Sequence, residues 1–248
     1  MKTTGNTILI TGGTSGIGHG LALRFHEAGN TVIVAGRRKE LLDQITTEHP
    51  GIESLVLDVA DPASITRAAE TLAATHPQLN VLVNNAGIML PENLLDPASL
   101  PIAEDHITTN LLGAIRMTYA FLPRLVTKDD AVVMNITSAL AFVPLPITPT
   151  YNATKAALRS FSESLRVQVA GTSVEVIEVA PPGVRTTLMG QQDSENSMPL
   201  DEFLSETMTL LAEPGAKEIV VERAKFVRFA EANGNYDQVL AMLSGRGA

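Results

Sequence analysis

The stretch TGGTSGIG, residues 11–18, joins a short apolar run to an amphipathic segment. The run TILI (7–10) is typical of a buried strand, and residues 17–28 have the period of a helix. Between them, glycines allow a tight turn and close approach of a ligand to the backbone, while the helix start offers free N–H groups and a positive dipole. We therefore predict a pyrophosphate-binding turn. Its predicted contacts are Gly12, Thr14, Ser15, Gly16, Ile17 and Gly18.

Short apolar runs alternate with longer amphipathic segments along most of the chain. Val, Ile and Leu dominate these runs, as in strands buried on both faces of a parallel sheet. The predicted strands are 7–10, 31–35, 53–58, 80–85, 131–136 and 173–180, and the predicted helices are 17–28, 39–48, 62–76, 103–126 and 151–170. This order predicts an α/β fold, a Rossmann-type doubly wound parallel sheet flanked by helices, in a single domain spanning 1–248.

The pattern changes after the last predicted strand. Residues 186–213 would hang over the crevice outside the carboxyl ends of the strands, so we interpret them as a substrate lid, with an ordinary surface loop as the alternative. Its first part, 186–200, is polar, and the apolar residues Leu188, Met189 and Met198 within it favour a lid. Helices are expected to resume near Asp201 and Pro214, and 214–248 is predicted to be a helical extension.

Composition narrows the class of partner. The 248 residues have a formal net charge of −9, which disfavours nucleic acid and anionic membranes because both attract basic surfaces. Cysteine is absent, which excludes disulfides and thiolate chemistry, and the histidines show no metal-binding spacing. The N-terminus lacks an apolar signal segment, and no apolar run is long enough to span a membrane. We expect a cytoplasmic protein that binds a small molecule.

The end of the second predicted strand bears on the choice of cofactor. A carboxylate there would bind the free ribose hydroxyls of NAD. The chain instead has Arg37 and Arg38, with no acid before Glu40. A guanidinium can bind a 2′-phosphate through charge-assisted hydrogen bonds. NADP(H) is therefore favoured, and NAD(H) stays open because two arginines in a turn can also be simply solvated.

Two more strand ends lie on the side of the predicted crevice. A carboxylate after the third strand can accept a hydrogen bond from an adenine amino group, and small residues after the fourth let the backbone pass close to a ribose. The predicted contacts are Asp58, Val59, Asn85, Ala86 and Gly87. Taken alone, either stretch is more often a strand-end cap or turn than a cofactor contact.

A serine, a tyrosine and a lysine suggest chemistry at the same edge. Ser138 follows the fifth strand, and the stretch YNATK places Tyr151 and Lys155 four residues apart, on one helical face. Hydride transfer to a carbonyl develops negative charge on oxygen, which needs a proton and a hydrogen-bond donor. A phenol has a pKa of about 10, so we expect the lysine to lower it and also to hold a ribose. Ser138 would bind the carbonyl oxygen.

Taken together, these motifs resemble the short-chain dehydrogenase/reductase family, from about residue 5 to 190. TGGTSGIG fits the family's TGxxxGxG, the sequence NNAG (84–87) is unchanged, and Ser138 with YNATK fits its serine and YxxxK. The resemblance implies a fourth catalytic residue, Asn110, that kinks its helix and holds a water in a proton relay from the lysine. It also implies that Tyr151 and Lys155 contact the cofactor.

The chain departs from the family pattern in two places. Pro182 replaces the glycine of the usual PGxVxT, although Val184 and Thr186 remain expected contacts of the nicotinamide carboxamide. The family commonly ends in a seventh strand used in tetramer contacts, whereas residues 222–248 have a helical, polar pattern. We therefore predict a homodimer.

The predicted activity is that of an NADP-dependent carbonyl reductase or alcohol dehydrogenase acting on a ketone or secondary alcohol. The segments 141–149 and 186–200 are expected to line the substrate site, with apolar contacts from Ala141, Phe142, Val143, Leu145 and Pro146. A neutral, hydrophobic substrate follows, possible examples being aryl or amino ketones. Two alternatives stay open: an NAD-preferring dehydrogenase, and a cofactor-sensing or scaffold protein without turnover.

Overall fold

A computed structural model describes residues 1–245 of the chain. Within these residues seven strands form one sheet in which every paired neighbour is parallel. The strands are β1 Thr7–Thr11, β2 Thr31–Gly36, β3 Ile52–Val56, β4 Val81–Asn84, β5 Ala131–Ile136, β6 Val174–Val179 and β7 Glu218–Ile219. Their order is β3-β2-β1-β4-β5-β6-β7, so the direction of winding reverses between β1 and β4. Ligand crevices of open α/β sheets lie at this switch point.

Helices cover both faces of the sheet. They are α1 Gly16–Glu27, α2 Lys39–Glu48, α3 Pro62–Thr75, α4 Leu100–His106, α5 Gly113–Leu125, α6 Pro149–Gln168, α7 Leu200–Leu211, α8 Glu222–Arg228 and α9 Tyr236–Leu243. Local chemistry explains several ends. For example, α3 begins with Pro62 at its first position, and the Asp61 side chain caps it by accepting from Ala63 N. The predicted fold class is confirmed.

Two apolar layers pack against the sheet. One includes Leu21 and Phe25 of α1 together with Phe203 of α7, all with 0% exposure. The opposite layer is built from α3, α5 and α6, with Met117 and Phe121 as its most buried large side chains. Burial of each such side chain contributes roughly 1.5–3 kcal/mol to folding, so both layers hold the carboxyl edge of the sheet in place.

Two segments differ from the sequence predictions. The predicted helix 103–126 is divided by a π-helical segment, Ile107–Leu112, between α4 and α5. The predicted helical extension 214–248 contains the short strand β7, and the helix expected near Pro214 begins at Glu222 instead. Residues 246–248 lie outside the described part of the chain. No helix between residues 1 and 245 is long and apolar enough to cross a bilayer.

The predicted lid leaves and rejoins the body of the protein at neighbouring points. Val184 pairs with Met198 in a parallel bridge, and Met198 exchanges hydrogen bonds with Gly183 O (2.8 Å) and Arg185 N (2.8 Å). Met198 is only 1% exposed and belongs to the core. Our reason for expecting a lid was partly wrong here, because Met198 packs inward. Leu188, in contrast, is 37% exposed and lines the cleft described below.

Candidate active site

The glycine turn between β1 and α1 lies against the end of β4. A Cβ atom on Gly12, which has a φ of 65°, would lie 2.8 Å from Ala86 Cα. A Cβ atom on Gly18 would lie 2.3 Å from Asn85 Nδ2. Side chains at either position would therefore collide with these atoms, so the two glycines let the turn pack closely against the end of β4. The turn lines the cleft and leads into α1, and this glycine cradle fits a pyrophosphate.

The turn is also tied to β4 by hydrogen bonds. Asn85 Nδ2 donates to the carbonyls of Thr11 (2.9 Å) and Gly12 (3.1 Å). The Thr11 hydroxyl in turn accepts from Asn85 N (3.0 Å) and Ala86 N (3.1 Å). Sequence reasoning missed Thr11, although its place at the start of the glycine motif was a usable signal. These bonds fix the two strand ends as one rigid floor.

Two arginines lie at the end of β2, beside this turn. Arg38 donates from its Nη2 atom to the hydroxyls of Thr14 (2.9 Å) and Ser15 (3.3 Å). Arg37 is exposed and lines the same cleft. Two cationic groups therefore lie at the end of the cleft where the sequence predicts a 2′-phosphate, and that contact stays a prediction.

The ends of β3 and β4 form the next part of the cleft. Asp58 is half-buried, and its Oδ1 atom accepts from Ala60 N at 2.9 Å. Val59 is 7% exposed and packs against Gly113, where a Cβ atom would lie 2.9 Å from Val59 Cγ2. Both residues line the cleft, as predicted for the adenine end.

Ser138, Tyr151 and Lys155 converge at the other end of the cleft. Their exposures are 6%, 6% and 4%. Ser138 follows β5, whereas Tyr151 and Lys155 lie in the first two turns of α6. The ammonium of Lys155 lies 5.6 Å from the centre of the Tyr151 ring and donates to Ile136 O at 2.7 Å. The sequence-predicted triad is thus brought together by the fold.

Burial controls the proton affinities of this pair. Burial raises the pKa of Tyr151 to about 12, and a hydrogen bond with Ser138 only partly opposes this rise. Burial likewise lowers the pKa of Lys155 to about 8. Our expectation that Lys155 would lower the tyrosine pKa is therefore wrong for the chain by itself, because desolvation outweighs the attraction across 5.6 Å. At neutral pH the phenol keeps its proton.

Asn110 lies in the π-helical segment, behind the cleft wall. Its Nδ2 atom donates to Ile88 O (2.8 Å) and its Oδ1 atom accepts from Ile88 N (2.8 Å). A Cβ atom on Gly87 would lie 3.3 Å from Asn110 Oδ1 and 3.7 Å from Lys155 Nζ. Asn110 is thus adjacent to the lysine, and the widened helix turn is what allows its side chain to face the backbone after β4.

The predicted nicotinamide contacts follow β6. Val184 is 4% exposed, and Thr186 lies against the glycine turn, where a Cβ atom on Gly16 would approach Thr186 Cγ2 to 3.3 Å. Both residues line the cleft, together with Pro181 and Pro182. The departure at Pro182 therefore leaves these two residues at the cleft.

A single cleft of about 640 Å3 connects these groups. All predicted cofactor contacts line it, as do Ser138, Tyr151 and Lys155, while Asn110 lies behind it. Its volume, the glycine cradle at one end and the buried tyrosine at the other fit a dinucleotide.

The substrate end is only partly as predicted. The residues of the predicted segments that line the cleft are Leu145, Thr186, Thr187, Leu188, Gln191, Asn196 and Ser197. The expectation was wrong for Ala141, Phe142, Val143 and Pro146, which do not line it. Phe142 instead lies between the guanidinium groups of Arg159 (4.9 Å) and Arg228 (4.1 Å).

Two further residues of the cleft wall come from the C-terminal helices. Val227 of α8 and Leu243 of α9 line the cleft, and they pack with a small cluster that contains Val143, Ala230 and Val239. Sequence reasoning missed both, because helical periodicity does not indicate which distant loop a helix covers. The C-terminal region therefore shapes the substrate end.

Comparison with known proteins assigns the chain to a family. The family model described as short chain dehydrogenase matches residues 6–197. The chain therefore belongs to the short-chain dehydrogenase family and is an oxidoreductase of that type.

Among named relatives, the chain is 38% identical over 250 residues to "Uncharacterized oxidoreductase DltE" of Bacillus subtilis, covering 98% of each chain. It is 33% identical to "Sulfoacetaldehyde reductase 2" of Chromohalobacter salexigens, covering 86% of each. It is also 37% identical to "NADP-dependent 3-hydroxy acid dehydrogenase YdfG" of Shigella flexneri, covering 70% of this chain and 71% of that one.

Solved structures agree with the family assignment. A short chain dehydrogenase from Burkholderia cenocepacia in complex with NADP is 25% identical with a TM-score of 0.83, covering 98% of both chains. The closed form of serine dehydrogenase complexed with NADP+ is 29% identical with a TM-score of 0.79, covering 86% of this chain and 93% of that one.

Proposed function

We propose that this protein is an NADP-dependent oxidoreductase that interconverts a ketone and a secondary alcohol. One observation carries the proposal: Ser138, Tyr151 and Lys155 meet at one end of a cleft that has the glycine turn and two arginines at the other. Bound at this cleft, the nicotinamide dinucleotide would supply the hydride in reduction and accept it in oxidation.

Tyr151 acts as the acid and base at the substrate oxygen. Its buried phenol, with a pKa raised to about 12, holds a proton at neutral pH and gives it to the oxygen as a hydride reaches the carbonyl carbon. Ser138 donates a hydrogen bond to the same oxygen and stabilises its developing charge. The hydride and this proton together convert the carbonyl into the alcohol.

Lys155 and Asn110 support this proton transfer. The ammonium of Lys155 stabilises the phenolate left after the transfer, since it lies 5.6 Å from the ring centre. With a pKa lowered to about 8, the lysine can also exchange its proton near neutral pH. Asn110, adjacent to the lysine and bonded to Ile88, maintains the route by which protons return from solvent.

The choice of NADP rests on the end of β2. Arg37 and Arg38 supply two guanidinium groups beside the turn, and a 2′-phosphate would be bound there by charge-assisted hydrogen bonds. Relatives whose names or structures include NADP support this choice. The other predicted contacts would hold the remainder of the cofactor, with Asp58 at the adenine and Lys155 at a ribose.

The substrate is a neutral, hydrophobic ketone or alcohol, with aryl and amino ketones among the candidates. Within the described residues, the charged groups lining the cleft are Arg37, Arg38, Asp58 and Lys155, and all four are assigned here to the cofactor or the proton relay. The substrate end offers apolar side chains, among them Leu145 and Leu188. A carboxylate or sulfonate, such as the names of two relatives indicate, would lack a cationic partner there.

A homodimer in the cytoplasm completes the proposal. Tyr119 of α5 and Val167 of α6 are 74% and 76% exposed, which supports a contact between subunits through these helices. Light scattering of the purified protein after size-exclusion chromatography tests it: a mass of twice the chain supports the dimer, and a monomer overturns it.

A substrate screen tests the activity. The purified protein is mixed with NADPH or NADH and a panel of aliphatic, aryl and amino ketones and matched 2- and 3-keto acids, and cofactor absorbance is followed. We expect turnover with NADPH and neutral ketones. Turnover with NADH alone would overturn the cofactor choice, and turnover with the keto acids alone would overturn the substrate class. Tight NADPH binding without turnover would favour the cofactor-sensing alternative.

A further inference from the structure

A buried pair of titratable groups lies behind Tyr151, outside the residues assigned so far. Nδ1 of His106, in α4, is 3.2 Å from Oε1 of Glu92, which lies in the loop after β4. The two side chains are 0% and 1% exposed. Neither residue lines the cleft, so neither reaches a substrate. Burying a His–Glu pair completely costs desolvation free energy, which suggests that the pair has a role besides folding.

Hydrogen bonding fixes where the proton of His106 lies. Its Nε2 atom accepts from Leu90 N at 3.0 Å, so this nitrogen carries no proton. Nδ1 therefore carries the proton, and it lies 3.2 Å from the Glu92 carboxylate in a contact that lacks the geometry of a hydrogen bond. Burial also lowers the pKa of His106, with Glu92 and Asp105 opposing that shift, so the neutral imidazole is favoured. The ring is thus held in one tautomer by contacts on both sides.

Glu92 connects this histidine to the start of α6. Its carboxylate accepts from Thr150 N (3.1 Å) and from the Thr150 hydroxyl (2.6 Å). Its own backbone N–H donates to Ile147 O at 2.9 Å. Thr150 immediately precedes Tyr151 in the chain. The carboxylate therefore acts on the helix turn that carries the tyrosine.

The imidazole ring also contacts the tyrosine directly. The ring centres of His106 and Tyr151 are 6.2 Å apart at an interplanar angle of 71°, an edge-to-face arrangement. Aromatic pairs of this geometry are favourable within about 7 Å. One side of the phenol ring is thereby set by His106, while the Ser138 side chain acts on its hydroxyl and opposes the rise in its pKa.

We propose that Glu92 and His106 form a clamp that positions the Tyr151 ring with its hydroxyl against Ser138. The clamp ties together the loop after β4, helix α4 and the first turn of α6. Both are positioning residues, because they act through Tyr151. The proposal rests on the role given to Tyr151 in the proposed function, so its test needs one readout that does not depend on turnover.

The test compares the clamp with a second His–Glu pair of the same chain. The variants are Glu92→Ala, His106→Leu and the milder His106→Asn, whose amide N–H can replace the Nδ1 donor to Glu92. The matched control is His76→Leu, since His76, which directly follows α3, has its Nε2 atom 3.0 Å from Oε1 of Glu53 in β3, and neither residue lines the cleft. Turnover, NADPH affinity and the 13C-tyrosine NMR signal of Tyr151 are measured, the signal being assigned with Tyr151→Phe.

We expect kcat to fall about 100-fold in His106→Leu and Glu92→Ala, with NADPH affinity unchanged, because a displaced catalytic group slows chemistry more than binding. His106→Asn should recover part of the loss, and the Tyr151 signal should move in step with kcat. His76→Leu should leave both unchanged.

The opposite result is equally clear. Full turnover and an unmoved Tyr151 signal in His106→Leu and Glu92→Ala would overturn the clamp. If His106→Leu does not fold, turnover and the Tyr151 signal of His106→Asn are compared with those of the wild type instead, and unchanged values would overturn the clamp. If the wild type reduces none of the ketones, the Tyr151 signal still tests the clamp, and only the proposed function fails.

Discussion

Lys155 donates a 2.7 Å hydrogen bond to the carbonyl of Ile136, the last residue of β5. This bond holds the lysine beside Ser138, which lies two residues further along the chain. The ammonium is nevertheless 4% exposed, and burial lowers its pKa to about 8. The buried lysine places a cation near Tyr151 but lowers the free energy of unfolding. Substitution of Lys155 therefore tests both its catalytic role and the cost of its burial.

Replacing Lys155 by methionine should abolish turnover and stabilise the fold at pH 7. A fall in pKa from 10.5 to about 8 corresponds to roughly 3 kcal/mol for keeping the buried group charged. Loss of the bond to Ile136 opposes this gain by about 1 kcal/mol, which leaves a net increase of about 1–2 kcal/mol. Urea unfolding of both proteins measures the difference, with Lys39→Met, an exposed position, as the control.

The same pair of proteins gives a pH dependence. Between about pH 8 and 10.5 the unfolded wild type binds a proton that the folded protein has lost, so wild-type stability rises with pH relative to the variant. The advantage of Lys155→Met should therefore shrink by pH 10. A difference that stays constant from pH 7 to pH 10 would show that burial does not perturb this lysine.

Arg38→Ala should discriminate between the two dinucleotides. A hydrogen bond to a charged group contributes about 1.5–3 kcal/mol, so NADPH affinity should fall about 10- to 100-fold while NADH affinity stays within about twofold. Fluorescence titration measures both, and Arg67→Ala on the exposed surface of α3 is the control. An equal loss of affinity for both cofactors would contradict the assignment of Arg38 to a 2′-phosphate.

Gly18→Ala should weaken both the fold and the cofactor site. The new Cβ would lie 2.3 Å from Asn85 Nδ2 and 2.5 Å from Gly12 O, so the floor of the cleft must shift. We expect a loss of about 1–3 kcal/mol in stability and a drop in NADPH affinity. Gly29→Ala is the control, because Gly29 has a φ of 85° but open space around it, so only backbone strain is added. Calorimetry that shows equal effects for both variants would count against the close packing.

Val227→Phe should narrow the range of substrates. Val227 lines the cleft from α8, so a larger side chain there should lower kcat/KM for bulky aryl ketones about 10-fold and spare small aliphatic ones. The neighbouring Phe226 is 46% exposed and does not line the cleft, so Phe226→Ala serves as the control. Equal losses for small and bulky ketones would exclude a role for α8 in specificity.

Much of the fold could be predicted because its strands are distinct in the sequence. Each of β1 to β6 overlaps a predicted run, and the parallel order follows from the helices between them. The strand β7 has two residues, Glu218 and Ile219, and is recognisable only from its pairing with Glu178 and Val179. The apolar spacing does not distinguish the π-helical segment from an α-helix, and only the family resemblance implied a kink at Asn110 inside it.

The candidate active site, like the fold, could be predicted only in part. Ser138, Tyr151 and Lys155 could be predicted because their spacing and their strand-end positions coincide. The pairing of Glu92 with His106 could not, since it joins a loop to a helix through tertiary contact alone. The apolar character of Phe142 led us to predict a substrate contact, but its ring packs with the guanidinium groups of Arg159 and Arg228 instead.

The measurement that tests the central claim most directly is turnover of Tyr151→Phe beside its affinity for NADPH. Loss of the one phenolic hydroxyl at the substrate end should lower kcat about 100- to 10,000-fold while NADPH affinity stays near that of the wild type. Tyr119→Phe, on the 74% exposed side chain of α5, should retain full activity. Full turnover in Tyr151→Phe would contradict the account.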